Sequence, residues 1–172
     1  LSAQCTDARV NLVTPALFEK YKTLDDYCSA DVKDIEKIIY SCGFYKSKAE
    51  SIIDMAKGVR DRFGGIVPDS IDDLITLNGV GRKTANLIVG DIYHKQAIVV
   101  DTHMIRIANR IGLVCEKDPK KIEFALKKLI PAEESSDFCH RIVLFGRDTC
   151  PARKPKCDGC PMDFNCKKIG VK

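Results

Sequence analysis

Apolar residues recur at helical spacing along nearly the whole chain: Val10, Val13, Leu17; Ile35, Ile38, Ile39; Ile52, Ile53, Ala56, Val59; Ile122, Ala125, Leu126, Leu129; Ile142, Val143, Phe145. A stripe repeating every three or four residues can be buried only by packing helix on helix, so the fold class is all-α. Breaks fall at Cys42-Gly43-Phe44-Tyr45, Phe63-Gly64-Gly65-Ile66-Val67-Pro68, Asn78-Gly79-Val80-Gly81 and Asp118-Pro119. They leave helices of about 10 to 15 residues joined by short turns. Ser70 with Asp73 predicts a capping box that starts a short helix through Leu77. Ala97-Ile98-Val99-Val100 alone resembles a strand, and at four residues it reads as an extended connector. A boundary placed there gives two helical lobes, 1–96 and 97–172. The 172 residues, 45% of them hydrophobic, suffice for one good core or two small ones, and no apolar run is long enough to span a membrane. The start, Leu1-Ser2-Ala3-Gln4, lacks an initiator Met and any secretory pattern, and reads as a fragment beginning inside an element.

Cys150, Cys157, Cys160 and Cys166 form a C-x6-C-x2-C-x5-C run. Four thiolates in one short loop can wrap a single metal centre without help from the rest of the fold. Zinc usually takes two separated Cys-x2-Cys knuckles, whereas only one pair here is that tight, so the spacing favours an iron-sulfur cluster. The alternative is a pair of disulfides, but the chain has 9 cysteines, an odd number, and the other five are scattered singly. A reduced intracellular protein fits better: bacterial cytoplasm, or nucleus or mitochondrion in a eukaryote.

Residues 140–172 hold eight Lys/Arg against three Asp, in a chain whose net charge is +4. The cysteine-rich end is therefore the polyanion-facing end, although a charge run is by itself often just a solvated face. Leu77-Asn78-Gly79-Val80-Gly81-Arg82-Lys83-Thr84-Ala85 joins two helices through a turn with two glycines. Such a turn leaves backbone N–H groups bare at a helix N-terminus, where a phosphate can dock. Alone, a Gly-x-Gly between helices is more often a plain turn.

Taken together, Leu1-Ser2-Ala3-Gln4, the hairpin with Lys83, Val100-Asp101-Thr102-His103, Gly146-Arg147 and the cysteine spacing resemble the helix-hairpin-helix DNA glycosylases, and among them the endonuclease III family. The resemblance spans the chain, with the family's N-terminal helix and part of the next absent. Asn78 stands where the family usually has Pro, a change that a turn tolerates. The resemblance implies a 4Fe-4S cluster on the four cysteines and an active site between two lobes, with Lys83 and Asp101 on opposite walls. Lys83 is implied to attack the sugar C1′ of a damaged nucleotide, assisted by Asp101. Read without the resemblance, Lys83 is an exposed helix lysine and Asp101 the N-cap of the helix beginning at Thr102.

Base removal inside a duplex requires the nucleotide to leave the stack, and something must fill the gap. By resemblance the fillers are Gln4 and Phe44, although Cys42-Gly43-Phe44 could equally fold inward and make Phe44 core. Gly79, Gly81, Arg82 and Thr84 are implied to hold DNA at the hairpin, and Arg153, Lys154 and Lys156 to meet phosphates from the cluster loop. His103 and His140 are expected in packed or hydrogen-bonded roles. The implied activity is a bifunctional glycosylase and abasic-site lyase, acting as a monomer on duplex DNA with oxidised pyrimidines or abasic sites. The rivals are a mismatch or pyrimidine-dimer glycosylase of the same superfamily, and a non-catalytic iron-sulfur DNA-binding or redox-sensing module. Protein purified without oxygen is expected to be yellow-brown, with about four irons per chain and broad absorbance at roughly 400 nm. Colourless protein with stoichiometric zinc would replace the cluster assignment.

Overall fold

The computed structural model describes residues 1–171, and every regular element among them is helical. The chain divides into two compact units, Leu1–Gly81 and Arg82–Lys172. The expected boundary at residue 97 thus lies inside the second unit, because the helix before it packs against the last helix of the chain.

In the first unit, α1 (Asp7–Lys20) starts at Thr6, whose side chain accepts from Arg9 N. The short α2 (Leu24–Cys28) opens on a capping box between Thr23 and Asp26, and α3 (Val32–Ile39) on Asp31. Each cap satisfies amide groups that a helix start leaves without partners. A 3₁₀ turn, Tyr40–Cys42, leads into α4 (Tyr45–Phe63), the longest helix, which packs against both α2 and α3. Val13, Leu17, Tyr21, Ile35, Ile39, Cys42, Ala49 and Ile53 form the core. Ile35 and Ile39 are fully enclosed, each contributing about 1.5–3 kcal/mol. Ser70 caps α5 (Ile71–Leu74) by accepting from Asp73 N. That helix was expected to reach Leu77. Instead it ends at Leu74, and i→i+3 bonds from Thr76 N to Asp73 O and from Leu77 N to Leu74 O (both 3.1 Å) carry a tighter turn into the hairpin.

The second unit holds α6 (Arg82–Asp91), α7 (Thr102–Ile111), α8 (Pro119–Lys127) and α9 (Ser135–Asp148). Its core is Ile98, Met104, Ile107, Ala108, Val114, Ile122, Leu126, Cys139 and Ile142. The apolar stretch Ala97–Val100 is extended but pairs with no strand. Its amides go to side chains: Ala97 N to Ser135 Oγ (3.2 Å), Ile98 N to Asn86 Oδ1 (3.2 Å) and Val99 N to Cys139 Sγ (3.2 Å). The connector is thereby fixed against α6 and α9, and it delivers Asp101 to the start of α7.

α7 packs against α9, with Gly146 of α9 set against His103, Arg106 and Ile107 of α7. A Cβ there would run into His103 Nδ1 and stand 2.8 Å from Ile107 Cδ1, so this position has no room for any side chain. Gly146→Ala is expected to lower unfolding free energy by about 1–3 kcal/mol, the usual cost of forcing atoms into a packed seam, measured by urea denaturation.

Candidate active site and DNA-contacting loops

The hairpin is built by one glycine and kept open by the other. Gly79 adopts φ +77°, and a Cβ on it would lie 2.8 Å from Ser51 Cβ, so it supplies both the left-handed turn and the close approach to α4. A Cβ on Gly81 would meet nothing within 4 Å, which leaves the backbone uncovered where α6 begins. Val80 N closes the turn onto Leu77 O at 3.1 Å. Asn78 does more than tolerate the bend, since its Nδ2 donates to Asp54 Oδ2 at 2.9 Å and ties the hairpin to α4.

Lys83 and Thr84 lie exposed in the first turn of α6. Arg82 is turned inward. Its Nε and Nη2 donate to Glu123 Oε2 (2.6 Å) and Oε1 (2.8 Å), and its guanidinium lies over the Phe124 ring at 5.4 Å. Glu123 is buried, and it also accepts from Lys127 Nζ (2.9 Å) and Asn86 Nδ2 (3.1 Å). Burial pushes the Glu123 carboxyl up, but the two cations outweigh it and hold it below the ordinary carboxylate value. Arg82, expected on phosphate, is thus occupied in fixing the start of α6, and with it the backbone that carries Lys83.

Asp101 is the N-cap of α7, with Oδ1 accepting from Met104 N at 2.8 Å. The capping role read from the residues alone is therefore real, and it locks the carboxylate's position. Lys83 and Asp101 both belong to the second unit, where α6 and α7 each pack against α9. His103 and His140 have the hydrogen-bonded roles expected. Nδ1 of His103 contacts Arg106 Nη2 (3.2 Å), and His140 Nε2 lies 3.2 Å from both Asp91 carboxylate oxygens.

Phe44 is not core. It is 68% exposed at the N-terminus of α4 with φ +49°, directly after Gly43 at φ +59°. Gln4 is also exposed and left-handed, at φ +52°. Left-handed backbone is costly for residues with a Cβ and tends to persist at functional sites. Lys154, in the cysteine loop, shares that conformation.

Cys150, Cys157, Cys160 and Cys166 line one small pocket, walled also by Ile111, Phe145, Pro155 and Met162. All are free thiols. Among the described residues no three His, Cys, Asp or Glu side chains converge tightly enough to hold a single ion. N–H groups already point at sulfur: Arg110 Nη1 at Cys150 Sγ (3.3 Å) and Lys168 N at Cys166 Sγ (3.4 Å). An apolar cradle with four sulfurs and N–H···S bonds suits a polynuclear thiolate-bound group. Cys139 is of another kind, its thiol pushed up to about 11 chiefly by burial.

A scan against family models matches residues 1–132 to the HhH-GPD superfamily of base excision DNA repair proteins. Endonuclease III of Bacillus subtilis (strain 168) is 42% identical over 169 residues, covering 98% of this chain and 77% of that protein. The chain belongs to the endonuclease III family. Endonuclease III of Escherichia coli (strain K12) is 38% identical over 97% of this chain and 79% of its own length. A trapped endonuclease III–DNA covalent intermediate with an estranged adenine superposes with TM-score 0.88 at 43% identity, over 97% of this chain and 79% of that one. A thermostable thymine-DNA glycosylase superposes at 0.83 with 27% identity, covering 96% and 78%.

For a member of the endonuclease III family, the residues that position the site are less conspicuous than those that form it. Arg106 donates from Nε and Nη2 to Cys150 O (3.2 and 3.0 Å) and from Nη2 to Gly146 O (3.0 Å). Arg110, only 8% exposed, donates to Pro151 O (2.7 Å) and Ala152 O (2.8 Å), while its own carbonyl accepts from Ile169 N (3.1 Å). One buried arginine therefore grips the cysteine loop at both ends. Lys156 N closes the intervening turn onto Thr149 O at 2.9 Å, leaving Arg153, Lys154 and Lys156 exposed on a braced loop. The sequence signal for them was the i,i+4 pair of arginines on α7, next to the buried Ile107.

Because Glu123 titrates below its unfolded value, its contribution to stability is complete above the ordinary Glu range and fades as pH falls through its folded pKa. Glu123→Gln is expected to cost on the order of 3 kcal/mol at pH 7 by leaving Arg82 and Lys127 poorly paired. The gap between the two proteins should narrow below about pH 4, as followed by urea denaturation across pH.

Proposed function

We propose that Lys83 is the nucleophile and Asp101 its partner in a DNA glycosylase and abasic-site lyase of base excision repair, the activity of this family. The observation that carries the assignment is the pairing of an exposed lysine, on a helix start anchored through Arg82 and Glu123, with a carboxylate locked at the start of α7. The amine of Lys83, once deprotonated, attacks C1′ of the extruded nucleotide. The N-glycosidic bond breaks, and its electron pair leaves with the base, which takes up a proton. The nitrogen of the resulting N,O-acetal loses a proton, and its lone pair opens the sugar ring to an iminium as O4′ leaves with the bonding pair and takes up a proton; removal of a C2′ proton then expels the 3′ phosphate by β-elimination, and water hydrolyses the iminium to free the lysine and an unsaturated aldehyde. Asp101 stabilises positive charge developing on the sugar, or receives the proton of the attacking amine.

Gln4 and Phe44 fill the vacated stack, supported by their exposure and left-handed backbone. The open face at Gly81 and the cations Arg153, Lys154 and Lys156 meet phosphates. Cys150, Cys157, Cys160 and Cys166 hold a 4Fe-4S cluster, which when bound cross-links the loop displaying those cations. Four thiolates occupy its coordination positions, so its role is architectural. The substrates are oxidised pyrimidines and abasic sites in duplex DNA. No helix among the described residues is long and apolar enough to cross a membrane.

Borohydride trapping on abasic duplex tests the assignment and separates an enzyme from a non-catalytic DNA-binding module. Lys83→Gln should abolish the covalent adduct while leaving binding within about threefold, and Asp101→Asn should slow base removal by about a hundredfold or more. A persistent adduct in Lys83→Gln would place the amine elsewhere.

A further inference from the structure

Gln4 and Phe44 lie 40 residues apart in sequence, each in a left-handed conformation that does not sustain itself, yet both must meet the same opened duplex step. The segments carrying them are joined beneath the surface by one side chain. Lys48, half-buried in the first turn of α4, donates from Nζ to Leu1 O (2.8 Å) and to Cys42 O (2.7 Å). Its own amide donates to Phe44 O at 3.0 Å. The first acceptor precedes a turn closed by Cys5 N on Ser2 O (3.2 Å), which carries Gln4. The second ends the 3₁₀ turn that feeds Gly43 and Phe44. Cys42 itself is buried, and burial, followed by the neighbouring Cys5 thiol, pushes its thiol up.

A cation in the first turn of a helix opposes the helix dipole, and a surface lysine normally keeps its ammonium in water. Lys48 does neither of the favourable things. Its charge is spent on two main-chain carbonyls from segments 41 residues apart in sequence, and charge-assisted bonds of this kind are the strong ones. We infer that Lys48 is a positioning residue for strand insertion, fixing the spacing of Gln4 and Phe44 so that both enter the opened duplex together. The inference rests on the gap-filling reading of those two residues. Its physical content is preorganisation: two inserts on independent loops would lose conformational freedom at the moment of extrusion, whereas a shared clamp has already removed it.

The test compares two substrates in the cluster-loaded protein. Lys48→Met keeps the aliphatic stem and removes the donors. It should slow single-turnover base excision from duplex by about 10- to 100-fold, the scale of a small misplacement of a positioning element, while β-elimination at an abasic site in single-stranded DNA stays within about twofold. Lys48→Arg should recover most of the duplex rate. With 2-aminopurine opposite the lesion, the fluorescence rise on binding should be smaller for Lys48→Met than for the parent. Combining Lys48→Met with Phe44→Ala should cost less than the product of the single losses. An unchanged duplex rate in Lys48→Met, or equal loss on both substrates, overturns the inference. If Phe44→Ala and Gln4→Ala themselves leave duplex excision unchanged, the gap-filling reading fails instead. Should Lys48→Met not fold, Lys48→Gln, which retains one shorter donor, is held to the same substrate comparison.

Discussion

A carboxylate taken out of water must be answered where it stands, and Glu123 is answered from three sides. Arg82, Lys127 and Asn86 all bond it, and each belongs to a segment whose placement matters. Asn86 also accepts from Ile98 N and donates to Arg82 O, so the same network sets the connector leading to Asp101 and the first turn of α6. Removing the charge would therefore disturb two lines of descent at once, toward the amine and toward the carboxylate. A purely apolar contact could hold α8 against α6 as firmly, but it would not fix the rotation of α6 about its axis. A bidentate guanidinium does, because its geometry admits one arrangement.

The basic residues divide into two populations that composition cannot separate. Arg153, Lys154 and Lys156 face solvent, as a polyanion requires. Lys48, Arg82, Arg106 and Arg110 face inward, spending their donors on carbonyls or a carboxylate. The inward group fixes loops that regular secondary structure does not. Its bonds reach main-chain oxygens in turns and coil, groups that would otherwise need water. The exposed loops are thus braced by cations that face inward.

Much of this was legible beforehand. Helical periodicity gave the class, the glycines and prolines gave the breaks, and Asp101 was readable as a cap because Asp before a helical run has one common use. The four cysteines could be grouped because they fall in one short loop, and they do line one pocket. Phe44 was not legible, since exposure of an aromatic after Gly43 depends on the backbone turning left-handed at both residues. The Glu123 partner of Arg82 was not legible either, because an arginine beside a glycine turn carries no local sign of a glutamate 41 residues away. The division of the chain escaped for a related reason: Ala97–Val100 looks like a hinge, but its amides are bound to Ser135, Asn86 and Cys139. Long-range side-chain bonds leave no local pattern, and they decided each of these cases.

α7 begins at the Asp101 cap and, within its ten residues, carries Arg106 and Arg110 into the cysteine loop. The helix is a strut of about 15 Å, stiffened by continuous main-chain bonds and seated on α9 without clearance at Gly146. Its two ends cannot be tuned separately. A lever arm of that length turns a tilt of a few degrees at the loop into a displacement of roughly an ångström at the carboxylate, so the seating of the cysteine loop and the aim of Asp101 are mechanically a single adjustment.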